Sequence, residues 1–112
     1  MKSENMKDKA KCLIIIPSYN EAGNIEKVID NLTTNYPQYD YVIVNDGSTD
    51  ATRKICEKHR YQVLHLPVNM GIGGAVQTGY RYALENEYDM AVQIDGDGQH
   101  DVAFLESMIG CM

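Results

Sequence analysis

Cys12-Leu-Ile-Ile-Ile16-Pro17, running on into Ser18-Tyr-Asn-Glu21, is the stretch that decides the fold. A β-branched run closed by proline is too short for a helix and lacks polar alternation. It therefore reads as a strand buried on both faces, as in parallel sheets. Parallel strands need a crossover, and the next residues supply a helix for it. Ile25, Val28, Ile29 and Leu32 recur at i, i+3, i+4 and i+7 behind Glu21 and Gly23, and Pro37 marks the stop.

The same alternation continues outward. Tyr41-Val-Ile-Val44 repeats the aliphatic strand signal, and Asn45-Asp-Gly-Ser-Thr-Asp50 supplies a turn and helix caps for a second helix to about His59. Val63, Leu64 and Leu66 predict a third strand. A glycine-rich loop from Pro67 to Gly74 leads into a helix expected to carry Ala75, Val76, Gly79, Tyr80, Ala83 and Leu84 on one side. Met90-Ala-Val-Gln-Ile94 predicts a fourth strand that ends at Asp95-Gly-Asp-Gly-Gln-His100, and Val102, Leu105 and Ile109 start a further helix. The order β-α-β-α-β-α-β-α implies an α/β domain, a Rossmann-like, mostly parallel sheet with helices on both faces. Residues 1–11 are polar and expected to fray, so the domain runs over 12–112. In such sheets ligands sit beyond the carboxyl ends of the strands, so loops 17–22, 45–50 and 95–100 are expected to converge on one crevice.

Composition narrows the function. The chain has 112 residues, 44 % hydrophobic and 23 % charged, which suits one globular domain and excludes a disordered or low-complexity segment. Ten Lys and Arg against sixteen Asp and Glu give a net charge of -6, the wrong sign for a phosphate-neutralising nucleic-acid binder, so nucleic acid is not expected as a partner. From Tyr82 onward no Lys or Arg occurs, while Glu85, Glu87, Asp89, Asp95, Asp97, Asp101 and Glu106 do. Such a segment either stays solvated or recruits a cation. Cys12, Cys56 and Cys111 form an odd set without a CxxC pair, which suggests neither a disulfide framework nor a zinc cluster and fits a reducing, cytoplasmic setting. The longest purely aliphatic run, Leu13 to Ile16, is far short of a bilayer span.

Each motif has two readings. Gly71-Ile-Gly73-Gly74-Ala-Val76 misses the dinucleotide fingerprint at Val76, and Gly74-x4-Gly79 is followed by Tyr80-Arg81 and so fails as a P-loop. The bland reading is a turn before a helix. Asp95-Gly-Asp97 can aim two carboxylates at one ion, or can be an ordinary surface turn. Asp95, Asp97, Gln99, Asp101 and Glu106 also stand at positions 1, 3, 5, 7 and 12 of a calcium loop, although His100 occupies the place that needs glycine and a strand precedes it. A calcium-binding module is therefore an alternative. Asn45 to Asp50 makes turns and caps without any ligand, yet Asp46 is left able to accept hydrogen bonds from a base or ribose. His100 is a ligand, a proton donor or simply a loop residue. Ser48 and Ser107 lack identifiable triad partners, and Cys56 reads as core.

Taken together, Ile-Ile-Pro17-Ser-Tyr19-Asn20-Glu21, Val44-Asn45-Asp46-Gly47-Ser48-Thr49-Asp50, Asn69-Met-Gly71-Ile-Gly73-Gly74-Ala-Val and Asp95-Gly-Asp97-Gly-Gln99-His100-Asp101 resemble family 2 glycosyltransferases, over residues 12 to 104 and in the family's order. The branch most similar is that of the polyprenyl-phosphate sugar transferases. The resemblance implies the N-terminal half of a glycosyltransferase A-type fold, a nucleotide-diphospho-sugar donor, Mg²⁺ or Mn²⁺, inverting displacement at the anomeric carbon, and a polyprenyl phosphate or glycan acceptor. It places Pro17, Tyr19, Glu21, Asp46 and Asp95 around the nucleotide-sugar, with Asp95, Asp97 and Gln99 holding the metal. Where family members often carry a basic residue, this chain has Ile72 and Gln77. The family's general base and acceptor-binding half lie beyond the matched motifs. The expectation is accordingly a donor-binding part that is inactive alone, in a longer protein at the cytoplasmic face of a membrane, or else a non-catalytic nucleotide-sugar module. Exposed sheet edges and an absent second half lead to an expectation of homo-oligomers.

Overall fold

The computed structural model describes residues 11–94. The elements run β1 (Cys12–Ser18), α1 (Ile25–Asn35), β2 (Asp40–Asp46), α2 (Thr52–His59), β3 (Val63–Leu66), α3 (Gly71–Glu85) and β4 (Met90–Gln93). The polar N-terminal residues 1–10, the fourth loop from Asp95 to His100 and the final helix expected near Val102 lie outside the described residues.

The four strands form one all-parallel sheet in the order β3-β2-β1-β4. β1 is central and every one of its seven residues is buried, as the unbroken aliphatic run requires. Its alternating side chains feed two cores. Cys12, Ile14 and Ile16 face α1 and α2 with Ile25, Val28, Ile29, Leu32, Ile43 and Cys56. Leu13 and Ile15 face the other way, with Val42, Val44, Ala75 and Ala83 beneath α3. This two-sided, Rossmann-like architecture is the one expected from the sequence.

The stripe on α1 is buried at the four positions expected, Ile25, Val28, Ile29 and Leu32. On α3 the expectation needs two corrections. The helix begins at Gly71, so Gly71 to Gly74 form its first turn and not the end of a loop. Its buried side is the narrow line Ala75, Gly79 and Ala83, while Tyr80 and Leu84 are exposed. The reason is close packing: a methyl group built on Gly79 would lie 2.4 Å from Ile15 Cγ2, so only small residues fit where α3 lies on β1.

Of the described cysteines, Cys56 is free and buried, and burial pushes its thiol up to about 11, which suits core and not a nucleophile. Cys12 is disulfide-bonded, a bridge that the odd count did not reveal. No helix among the described residues is long and apolar enough to cross a membrane.

Candidate donor site

β2 and β3 extend to one side of β1 and β4 returns to the other, so the strand order reverses between β1 and β4. Beyond the carboxyl ends at such a reversal, the loops diverge and leave a crevice. A pocket of about 190 Å³ lies at that end of β1, lined by Pro17, Ser18, Tyr19 and Asp46 together with Asn69, Gly71, Ile72 and Ala75.

Each wall has a local cause. The register sets Ser18 beside Asn45, so the loops leaving β1 and β2 start as neighbours. Asn20 then ties them together. It takes the left-handed conformation with φ 57°, which asparagine tolerates better than most residues. From there its Oδ1 accepts the Thr49 and Asp50 N–H groups at 2.8 and 3.2 Å, and its own N–H donates to Ser48 Oγ at 3.0 Å. Asp50 adds a second tie: its carboxylate accepts the Ala22 N–H at 3.2 Å and, within its own loop, the Thr52 N–H at 2.9 Å and hydroxyl at 2.5 Å. Burial works to raise the Asp50 carboxyl, but the hydrogen bonds from Thr52 and Ala22 outweigh it and hold the group below its ordinary value.

The third loop is fastened to Asp46. This side chain is buried, and its Oδ1 accepts the Met70 N–H at 2.7 Å, just where α3 begins. A carboxylate in that position also opposes the positive end of the helix dipole. Asn69 Nδ2 donates to the Asp46 carbonyl at 3.3 Å. Gly47 permits the approach: its φ is +69°, and a Cβ there would lie 2.5 Å from Asn69 N.

Of the residues expected around a nucleotide-sugar, Pro17, Tyr19 and Asp46 therefore share one pocket. Glu21 does not line it; its carboxylate accepts from Asn24 Nδ2 at 3.0 Å, and its carbonyl accepts the N–H groups of Asn24 and Ile25 at the start of α1. Asp95, Asp97 and Gln99 lie outside the described residues. The convergence of loops 17–22 and 45–50 is observed, and the segment before α3 joins them. Asn69 and Ile72 were missed as wall residues, although both stand within the glycine-rich motif. Among the described residues no group of three or more His, Cys, Asp or Glu gathers to hold a metal. A larger cavity of about 370 Å³, lined by Tyr39, Tyr41, Tyr82 and Tyr88 among others, opens at the amino end of the sheet, away from the strand reversal. Polar groups there pair with each other, Tyr88 with Asp40 and Gln62 with Tyr82, so the smaller pocket is the better candidate.

The family model for glycosyl transferase family 2 matches residues 13–112. The chain belongs to this family. An undecaprenyl-phosphate mannosyltransferase of Micrococcus luteus is 36 % identical over 104 residues, covering 88 % of this chain and 43 % of that relative. Among solved structures, residues 1–349 of Staphylococcus aureus TarS in complex with UDP-GlcNAc match with a TM-score of 0.72 and 26 % identity, over 89 % of this chain and 30 % of that TarS chain. A mannosyltransferase from Pyrobaculum calidifontis in complex with GDP-Man and Mn²⁺ matches with a TM-score of 0.66 and 28 % identity, over 80 % of this chain and 28 % of that one. This family 2 chain thus spans less than half the length of these relatives.

Proposed function

We propose that this family 2 chain forms the donor-binding part of a metal-dependent, inverting glycosyltransferase that takes a sugar from a nucleotide-diphospho-sugar and passes it to a polyprenyl phosphate. The observation that carries the reading is the pocket beyond β1, where Pro17, Tyr19 and the buried Asp46 meet at the strand reversal. The Micrococcus relative, named for transfer to undecaprenyl phosphate, supports the acceptor class.

Two kinds of contact suit a nucleoside. Tyr19 is 47 % exposed at the rim and offers a ring face for stacking on a base. With Oδ1 occupied by Met70, Asp46 keeps its second oxygen as an acceptor for a base N–H or a ribose hydroxyl. The diphosphate needs a different partner, since this chain carries a net charge of -6 and has Ile72 on the pocket wall, where a cation would help. Asp95, Asp97 and Gln99 are an all-oxygen donor set, which fits Mg²⁺ or Mn²⁺ and not zinc. Such an ion, when bound, neutralises charge that develops on the departing diphosphate.

Calorimetry with UDP-sugars and GDP-sugars, with and without Mn²⁺, tests this reading. Binding that needs Mn²⁺ and is lost in Asp97→Ala is expected. Calcium binding indifferent to any nucleotide would instead favour the calcium-loop alternative.

A further inference from the structure

We infer that His65, an edge-strand residue outside the pocket, is a positioning residue that holds the Tyr19 wall of the donor pocket through a one-way row of hydrogen bonds. The inference rests on the donor-site reading, to which it adds a residue with no contact to the ligand.

The direction of each bond follows from the groups present. Asn20 N–H can only donate, and it donates to Ser48 Oγ at 3.0 Å. Ser48 N–H can only donate as well, and its acceptor is Asn45 Oδ1 at 3.4 Å, with the Ser48 hydroxyl on the same oxygen at 2.5 Å. That fixes the Asn45 amide: Oδ1 faces Ser48 and Nδ2 faces His65. Asn45 and His65 are register partners across β2 and β3, and Asn45 Nδ2 stands 3.0 Å from His65 Nδ1. An amide nitrogen brings only donors, so His65 Nδ1 must be the acceptor and the imidazole proton resides on Nε2.

All donations therefore run from Asn20 through Ser48 and Asn45 and end on one lone pair of His65. Asn45 is 3 % exposed, so its amide has no access to water as a replacement acceptor. At the other end of the row, Asn20 adjoins Tyr19, the exposed aromatic of the pocket. His65 Nε2 is itself buried without a hydrogen-bond partner among the described residues, so of these only Asn45 selects the tautomer.

A chemical mimic separates positioning from bulk. In His65→Asn the side-chain oxygen takes the place of Nδ1 and restores an acceptor, whereas His65→Leu keeps apolar volume and removes it. Nitrogen NMR of the full 112-residue chain should show His65 as the Nε2–H tautomer. Amide exchange at Asn20 is expected to quicken by about tenfold in His65→Leu, the effect of one hydrogen bond, and to return to near the parent rate in His65→Asn. Calorimetry with UDP and GDP in Mn²⁺ should follow the same order, with the dissociation constant raised in His65→Leu and recovered in His65→Asn. An Nδ1–H tautomer, or equal Asn20 exchange in both variants and the parent, overturns the proposal. Nucleotide binding by the parent chain that His65→Leu leaves unchanged overturns the positioning role while sparing the donor site. A parent chain that binds neither nucleotide overturns the donor-site reading itself, and the role of His65 toward a ligand with it.

Discussion

Asn20 does two jobs that substitutions can separate. Its backbone sits in the left-handed region, and its side chain gathers the N–H groups of Thr49 and Asp50. Asn20→Gly keeps the conformation and deletes the side-chain ties, whereas Asn20→Ala deletes the same ties and adds a left-handed strain of about 1 to 2 kcal/mol. The alanine variant should therefore be the less stable of the two by about that margin in urea denaturation. Asp50 supports the same junction by charge. Its folded carboxyl is held below the ordinary 3.8, so the charged form favours the folded state. That contribution is full above 3.8 and fades as the pH drops through the lowered folded value. Asp50→Asn is expected to be less stable than the parent at neutral pH, with the two urea midpoints converging in acid. The ties across the two loops are not legible in the sequence. Those partners of Asn20 and Asp50 lie 28 to 30 residues away. Only the bonds from Thr52 to Asp50, two residues apart, are local, and they agree with reading Asn45 to Asp50 as a turn with caps.

Between elements, the contact of α3 with β1 shows what periodicity conveys and what it hides. On α1 the large apolar residues are the buried ones, so pattern and packing agree. On α3 they disagree, because the pleated surface of β1 comes so near that a methyl on Gly79 would strike Ile15 Cγ2. Small residues mark the interface there, and the larger Tyr80 and Leu84 remain outside, 44 % and 79 % exposed. The glycines at 71, 73 and 74 also mask the start of the helix, since glycine is a poor helix former and reads as loop. Gly79→Ala should lower stability by about 1 to 3 kcal/mol, the usual range for overpacking a filled core. Ile15→Ala removes the three atoms nearest to the new methyl, Cγ2, Cγ1 and Cδ1, at the expense of a cavity. In a double-mutant cycle the two changes together should therefore be less destabilising than the sum of each alone. Additivity within error would show that α3 shifts freely and that the close approach does not constrain it.

At the scale of the whole molecule, alternating strands and helices made the parallel sheet legible, but not its order. Nothing in the spacing of β3 and β4 says that the chain crosses back over β1, and it is this crossing that puts the pocket beside Tyr19 and Asp46. The position of the pocket sets a thermodynamic expectation for an acidic chain. On the donor-site proposal, a nucleoside would meet the ring of Tyr19 and the second oxygen of Asp46 without added charge repulsion. A nucleoside diphosphate brings added negative charge to a molecule that already carries -6. Without a divalent ion the diphosphate should therefore gain little over the bare nucleoside. With Mn²⁺ it should gain much. A ligand at a hundred times its dissociation constant stabilises the folded state by about 2.7 kcal/mol, and each kcal/mol moves the midpoint of a small domain by about 4 °C or more. Thermal melts with UDP or GDP and Mn²⁺ should accordingly rise by about 10 °C for the nucleotide that fits, and a chelator should return them to the unliganded value. Uridine and guanosine should give smaller shifts that the chelator does not alter. A diphosphate shift as large in chelator as in Mn²⁺ would mean that this chain neutralises the phosphates with its own side chains. Asp95, Asp97 and Gln99 would then have no part in holding them.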